Sequence, residues 1–290
     1  MARTFYQIIN LLRYRFLLFA GLLPYVLASA VAFHLTGQFR PELFLVGLGG
    51  LVLALIGVEA FNEYFDWVGG TDRVFQLDPK PVTRRTFFLG LIVFALAGLL
   101  ALYLTWRLGG PIIIIASIGF LCALFYLAPP LKLTYRGLGE LTIAFAYGPF
   151  MMSGSYYLQT RQLDIRPLFV SILPALLLFM IALVNEVPDY YQDRLVGKRN
   201  ICVRLGREST VKLYGLMALV FYTLLIGSLL TGNLPSWAWL TLSGMPLLLA
   251  SYLRARKTYD EPRQFIGTIR YLLIHYVWVL GILITAYIIG

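Results

Sequence analysis

Two copies of one short pattern carry most of the chemistry that this 290-residue sequence offers. Asn62-Glu63-Tyr64-Phe65-Asp66 and Asn185-Glu186-Val187-Pro188-Asp189 each close a long apolar run, and a further aspartate follows each, Asp72 after the first and Asp193 after the second. Eight of the fourteen acidic residues (Glu59, Glu63, Asp66, Asp72, Asp78, Glu186, Asp189 and Asp193) lie in or beside these patterns. Asn62 precedes Asp66 by four residues, as Asp189 precedes Asp193. On a helix that spacing stacks side chains on one face. Gly69 and Gly70 break the first helix behind Asp66 and let Asp72 turn back toward it, while Pro188 bends or restarts the helix at the second pair. Carboxylates gathered at helix C-termini oppose both one another and the macrodipole, so the arrangement calls for cations. Carboxylate and amide oxygens suit magnesium, which takes few protein ligands and completes its shell with water and substrate phosphates. Arg73 follows the first cluster, and Lys198 and Arg199 follow the second. Together they predict a bound diphosphate with metal acting as Lewis acid on the leaving group.

The elements that position these residues are membrane helices. The chain is 59% hydrophobic and 13% charged, with mean hydropathy +0.77. An ordinary soluble domain carries about 25% charged residues. Apolar runs of a length to cross the bilayer fall at 16–34, 43–61, 86–106, 111–128, 140–158, 167–185, 212–231, 236–253 and 270–289. The expected fold is therefore an all-α integral membrane protein of nine transmembrane helices, one domain over 1–290. Of the 24 Lys and Arg residues, all but Arg40, Arg107, Arg161 and Arg166 fall on one side of these spans. The positive-inside rule then places the N-terminus and both acidic patterns at the cytoplasmic face of the cell (inner) membrane.

The same bias accounts for most of the net charge of +10. Attraction to anionic lipid follows from it, but nucleic-acid binding needs a solvent-facing basic domain, and none is expected. Segment 1–16 reads as a basic, amphipathic interfacial helix rather than a cleavable leader, and its Arg13 and Arg15 serve topology or acceptor contact equally well. Cys122 and Cys202 form neither a metal pattern nor an expected disulfide. Each acidic pattern closes the second helix of a four-helix group, which suggests a parallel pseudo-repeat over 16–128 and 140–253, followed by the last helix at 270–289. The two long inner loops are those that follow the patterns. An apolar bundle beside a diphosphate site accepts a hydrocarbon tail, so the ligand class is a polyprenyl diphosphate.

At these residues the chain resembles the UbiA superfamily of intramembrane prenyltransferases. Asn62 to Asp72 is similar to the family's first aspartate-rich motif, and Asn185 to Asp193 with Gly197-Lys198-Arg199-Asn200 is similar to the second. A third match is Tyr126-Leu-Ala-Pro-Pro-Leu-Lys132-Leu-Thr-Tyr135-Arg136-Gly-Leu-Gly-Glu140. The six-residue step from Asp66 to Asp72 resembles the 1,4-dihydroxy-2-naphthoate (menaquinone-type) branch, as does the Gly-Lys-Arg stretch, although Asn200 stands where that branch usually has threonine. The resemblance implies two Mg2+ ions held on the diphosphate by Asn62, Asp66, Asp72, Asp189 and Asp193. It implies substrate contacts from Asn185, Arg73, Arg136 and Arg199, and stabilisation of departing diphosphate by Lys132 and Lys198. Tyr126 would stabilise an allylic cation through its π face, and a ring carbon of a small aromatic acceptor would attack it. No obligate protein partner is implied.

Other assignments stay open at this level. The acceptor could instead be 4-hydroxybenzoate, homogentisate or a glycerol-phosphate lipid. An ion-coupled transporter is the reading from another class. It places charges or broken helices at mid-membrane, whereas here the acids cluster at the inner ends. Glu59, one turn above Asn62, belongs to a polar network behind the metal site or snorkels to the interface, and His275 is expected to be a satisfied histidine of the bundle.

Overall fold

A computed structural model describes residues 20–71 and 81–290, and among these every regular element is helical. In chain order these are α1 (Leu22–Thr36), α2 (Pro41–Gly69), α3 (Arg84–Leu108) and α4 (Pro111–Leu127), a 3-10 turn (Leu133–Arg136), and α5 (Gly139–Phe145). A π-helical turn (Ala146–Phe150) leads into α6 (Met151–Thr160), followed by α7 (Ile165–Asn185), α8 (Tyr190–Leu195), α9 (Ile201–Leu205) and α10 (Arg207–Leu230). A 3-10 stretch (Ser236–Gly244), α11 (Met245–Thr258) and α12 (Pro262–Ile289) complete the chain. The expected interfacial segment with Arg13 and Arg15, and the site residues Asp72 and Arg73, lie outside the described residues.

Five helices, α2, α3, α7, α10 and α12, are long and apolar enough to cross a membrane, and α1 and α4 are shorter apolar helices. This is a multi-pass membrane protein. The runs expected at 140–158 and 236–253 are not single α-helices. Pro149 sits inside the π turn, where its missing N–H breaks the regular ladder. The second run is 3-10 up to Gly244 and becomes α-helical only at Met245.

Helix ends follow their punctuation. Pro41, Pro111 and Pro262 occupy the first turns of α2, α4 and α12, where no N–H is needed. Gly70 ends α2 at φ +89, donating its N–H to the carbonyl of Trp67. Helix α2 therefore runs two turns past the expected end of its span, and the first acidic pattern lies inside the helix.

Helix α7 is the centre of the bundle. Of its most apolar stretch 67% is buried, against 17% for α3, which faces outward. Its neighbours are α5, α10 and the π turn, while α1 packs against α6 and α12, and α2 pairs with α3. The second acidic pattern thus follows the most buried of the long helices, and the first lies in the last two turns of α2.

Candidate active site

The second pattern is shaped by its proline. Helix α7 stops at Asn185, residues 186–189 form a turn containing Pro188, and α8 restarts at Tyr190. Asp189 is thus the residue before α8 rather than part of a continuous helix, yet the four-residue relation survives because the Asp193 N–H donates to the Asp189 carbonyl at 2.9 Å. The chain then folds back at Gly197, whose φ of +77 is a conformation that side chains disfavour. Gly197 donates to the Arg194 carbonyl at 3.3 Å and Lys198 to the Asp193 carbonyl at 2.9 Å, the paired bonds of a Schellman end.

That turn returns the Lys198 side chain to the acids. Its Nζ lies 3.5 Å from Asp193 Oδ1 and 4.0 Å from Asp66 Oδ1, so a single ammonium joins the two patterns. Gln192 adds a second link by donating to the Thr71 carbonyl just beyond α2. Arg207 fixes the outer side of α8: its guanidinium lies over the rings of Tyr190 and Tyr191 and bonds Asp260 Oδ1 at 2.6 Å.

Asp193 is 2% exposed, and its other oxygen is also occupied. Asn200, fully buried, donates Nδ2–H to Asp193 Oδ2 at 2.7 Å, while its Oδ1 accepts from the Val203 N–H at 2.8 Å and so caps α9. Glu140 Oε1 accepts from the Ile201 N–H at 2.7 Å and ties the third motif to the second. Burial pushes the Asp193 carboxyl up to about 6, against the lowering pull of Lys198. For Lys198 burial opposes the charge, but the carboxylates of Asp66 and Asp193 outweigh it and hold the ammonium well above its ordinary range. Burial raises the Glu186 carboxyl as well, reinforced by neighbouring Glu140.

A divalent cation fits this donor set. Asn62 Oδ1 and Asn185 Oδ1 are buried and accept no hydrogen bond within the described residues, and Asp66 Oδ1 and Asp193 Oδ1, which accept none either, are met by the Lys198 ammonium at 4.0 and 3.5 Å. Buried acceptors left this way are costly and rare. Among the described residues no three acidic, His or Cys side chains form a cage by themselves.

The remaining predicted residues divide by position. Tyr126, on the last turn of α4, lies within electrostatic reach of Lys198, Glu186 and Asp66. Lys132 takes a left-handed conformation, φ +45, and places its Nζ 5.1 Å from the centre of the Tyr135 ring. Arg136 and Arg199 are exposed. The Arg136 guanidinium donates to the Pro130 carbonyl at 3.2 Å, and Arg204 bridges the carbonyls of Arg136 and Arg199 at 3.0 and 2.7 Å. Arg204 thus staples the backbones of the two loops that carry Arg136 and Arg199.

Tyr135, Gln192 and Glu140 had been given no role from sequence. Tyr135 packs so closely on α2 that a Cβ at Gly69 would meet its hydroxyl at 2.5 Å, and burial followed by nearby Asp66 raises its phenol. Tyr135 and Glu140 stand within the third motif match, which was the available signal. For Gln192, a residue between two acids, there was none. Glu59 and Tyr126 both lie within electrostatic reach of Tyr147. His275 is fully buried with Nε2 2.9 Å from the Tyr222 hydroxyl, but its buried Nδ1 has no hydrogen-bond partner among the described residues, so the expected satisfied histidine is satisfied at one nitrogen.

An apolar cavity of about 800 Å³ adjoins this cluster, and Tyr126 lines it at the acidic end. Its walls come from α1 to α4, α5, α6 and the π turn, with Phe94, Phe120, Tyr147 and Phe150 among them. The carboxylates and their shared ammonium therefore neighbour Tyr126, which itself lines a chamber suited to hydrocarbon.

Comparison with known proteins agrees with this geometry. Residues 22–284 match the model of the UbiA prenyltransferase family. The chain is 27% identical over 252 residues to a 2-carboxy-1,4-naphthoquinone phytyltransferase of Synechocystis sp., covering 84% of this chain and 81% of the relative. It is 25% identical over 238 residues to a 1,4-dihydroxy-2-naphthoate octaprenyltransferase of Bacillus subtilis, covering 78% of this chain and 75% of that one. Among solved structures, a UbiA homologue from Archaeoglobus fulgidus bound to GPP and Mg2+ superposes with TM-score 0.56 at 15% identity, covering 93% of this chain and 99% of the other.

Proposed function

This chain belongs to the UbiA prenyltransferase family, and from that premise we propose that it transfers a polyprenyl group from an allylic polyprenyl diphosphate to 1,4-dihydroxy-2-naphthoate. The observation that carries the reading is Lys198 between Asp66 and Asp193, beside an apolar cavity that begins at Tyr126. The chain has nine membrane passes, with its N-terminus and the site at the cytoplasmic face of the inner membrane. The composite helices α5 to α6 and 3-10 to α11 supply two of those passes. The charge bias of the sequence supports this orientation.

Asn62, Asp66, Asp189 and Asp193, with Asp72, would hold two Mg2+ ions on the diphosphate. The ions would supply Lewis-acid stabilisation of the leaving group. The protein's own groups do the rest. Lys198 neutralises charge that accumulates on the departing diphosphate, and Arg136 and Arg199 guide the anion at the rim. The bond between the allylic carbon and the diphosphate oxygen breaks with its electron pair going to oxygen. Tyr126 offers its π face to the positive charge left on carbon. The cavity holds the tail and excludes water, which otherwise competes for the cation. The ring carbon of the acceptor then bonds the allylic carbon with a π electron pair, and loss of CO2 from the carboxylate, or of a proton, returns the electrons of the broken bond to the ring and restores its aromaticity.

The choice of acceptor is supported by the names of the relatives, which specify naphthoate or naphthoquinone substrates, and by the six-residue step from Asp66 to Asp72. The test is a panel of 1,4-dihydroxy-2-naphthoate, 4-hydroxybenzoate, homogentisate and a glycerol-phosphate lipid offered to the purified protein with geranylgeranyl diphosphate, with products identified by mass spectrometry. A prenylated naphthalenoid is expected. A product from another acceptor only would overturn the assignment.

A further inference from the structure

We propose that Tyr135 is the positioning residue for Lys132: its ring holds the Lys132 ammonium beside the first acidic pattern without neutralising it. The inference rests on the transfer reading above, in which a diphosphate is the anion that this ammonium meets.

The loop between α4 and α5 brings these two side chains together. The Tyr135 N–H donates to the Lys132 carbonyl at 2.9 Å, which closes the 3-10 turn at Leu133–Arg136. Side chains at positions i and i+3 of such a turn eclipse one another. The Lys132 Nζ accordingly lies 5.1 Å from the centre of the Tyr135 ring, inside the ~6 Å reach of a cation–π contact. Lys132 enters the turn at φ +45, a left-handed conformation that side chains disfavour, and its own N–H donates to the Ala128 carbonyl at 3.0 Å. The backbone on both sides of the pair is therefore fixed.

The far edge of the ring rests on the end of α2. A Cβ on Gly69 would lie 2.5 Å from the Tyr135 hydroxyl, and the phenol is within electrostatic reach of Asp66. Tyr135 thus spans from the helix end that carries the first acidic pattern to the Lys132 ammonium. What it offers that ammonium is decisive. A lysine head on a flexible stem beside several carboxylates ordinarily pairs with one of them, as Lys198 does with Asp66 and Asp193. Among the described residues no carboxylate lies within ion-pair distance of Lys132. A π face attracts the ammonium through its quadrupole and brings no opposing charge, so the positive charge stays available to an incoming anion. The neighbouring Arg136 is held differently, by the Pro130 carbonyl at 3.2 Å. The two lysines divide the work: Lys198 is shared by the acids, and Lys132 is kept apart from them.

The experiment measures binding of inorganic pyrophosphate with Mg2+ by calorimetry, and kcat with geranylgeranyl diphosphate and 1,4-dihydroxy-2-naphthoate, on the purified full chain. It compares Tyr135→Phe with ring-trifluorinated phenylalanine at the same position, each with Lys132 present and in the Lys132→Met background. Fluorine withdraws charge from the ring face and nearly preserves its shape, so the two proteins fold alike. With Lys132 present, the fluorinated ring is expected to weaken pyrophosphate binding about three- to tenfold relative to Tyr135→Phe, with kcat falling alongside. Lys132→Met weakens binding about tenfold or more and removes the difference between the two rings. Equal affinities of the two rings with Lys132 present, or the same difference without it, would overturn the inference. A wild type that binds pyrophosphate but prenylates no acceptor would overturn the transfer reading alone, and the ring comparison would still decide the role of Tyr135. A wild type that does not bind pyrophosphate would overturn both.

Discussion

Asn200 holds Asp193 by one carboxylate oxygen, Oδ2, at 2.7 Å, and leaves the other, Oδ1, turned toward Lys198 at 3.5 Å. The same Asn200 side chain caps α9 through the Val203 N–H. A single amide thus fixes the orientation of an acid and the start of the helix behind it. Groups behind a metal ligand commonly contribute 10–100-fold to metal affinity or activity. Asn200→Ala is therefore expected to raise the Mg2+ concentration for half-maximal turnover about tenfold or more. Asn200→Thr, which keeps a donor and a capping oxygen, restores most of it. Mg2+ titration of turnover together with calorimetric Mg2+ binding checks this, and equal Mg2+ requirements in Asn200→Ala and wild type would contradict it.

Lys198 is the shared counterion of Asp66 and Asp193. Removing one partner of a buried ion pair costs roughly 3–5 kcal/mol, and the lower end applies here because the Asp66 side chain is 24% exposed. Lys198→Met should lower the melting temperature and nearly abolish turnover. Added Mg2+ should stabilise the variant more than the wild type, because it meets two carboxylates that have lost their ammonium. A thermal shift in detergent with and without Mg2+ reads this directly. A smaller Mg2+ shift in the variant would count against the shared site.

Gly197 turns the chain so that Lys198 faces Asp193, at φ +77, with open space where a Cβ would point. Only backbone strain opposes a side chain there, about 1–2 kcal/mol for an ordinary L-residue. Gly197→Ala is expected to lose turnover out of proportion to its small loss of stability, whereas Gly197→Asn, better suited to that conformation, retains more. Equal activity of the two variants would show that the turn does not position Lys198.

Gly69 answers to a different constraint, since a Cβ there would lie 2.5 Å from the Tyr135 hydroxyl. Gly69→Ala should displace Tyr135 and reduce kcat, and the double variant Gly69→Ala/Tyr135→Phe should recover part of the loss by removing the colliding oxygen. Kinetics of the two singles and the double test the coupling; strict additivity would refute it.

The sequence was most informative where chemistry and punctuation coincide. Carboxylates are costly at the ends of apolar helices, so the two Asn-Glu-x-x-Asp patterns announced a site. Gly70 ends α2 and Pro188 separates α7 from α8 as their types predict. The step from Asp193 to Lys198 is different. It depends on how Gly197 folds the chain back, and an ammonium five residues downstream of an acid carries no periodic signal. Contacts between distant segments were equally illegible, because Gln192 with Thr71 and Glu140 with Ile201 are set by how helices pack. Two apolar runs hid composite helices, since hydropathy averages over the π turn at Pro149 and the 3-10 stretch before Met245.

The central claim is that both acidic patterns act together on one diphosphate. It is tested by Mg2+-dependent release of diphosphate from geranylgeranyl diphosphate in the presence of 1,4-dihydroxy-2-naphthoate, comparing wild type, Asp66→Ala and Asp189→Ala at matched folded concentration. The account predicts loss of about a hundredfold or more in either variant, because each strips a ligand from a site that stabilises the leaving group. Full turnover in both variants would contradict it.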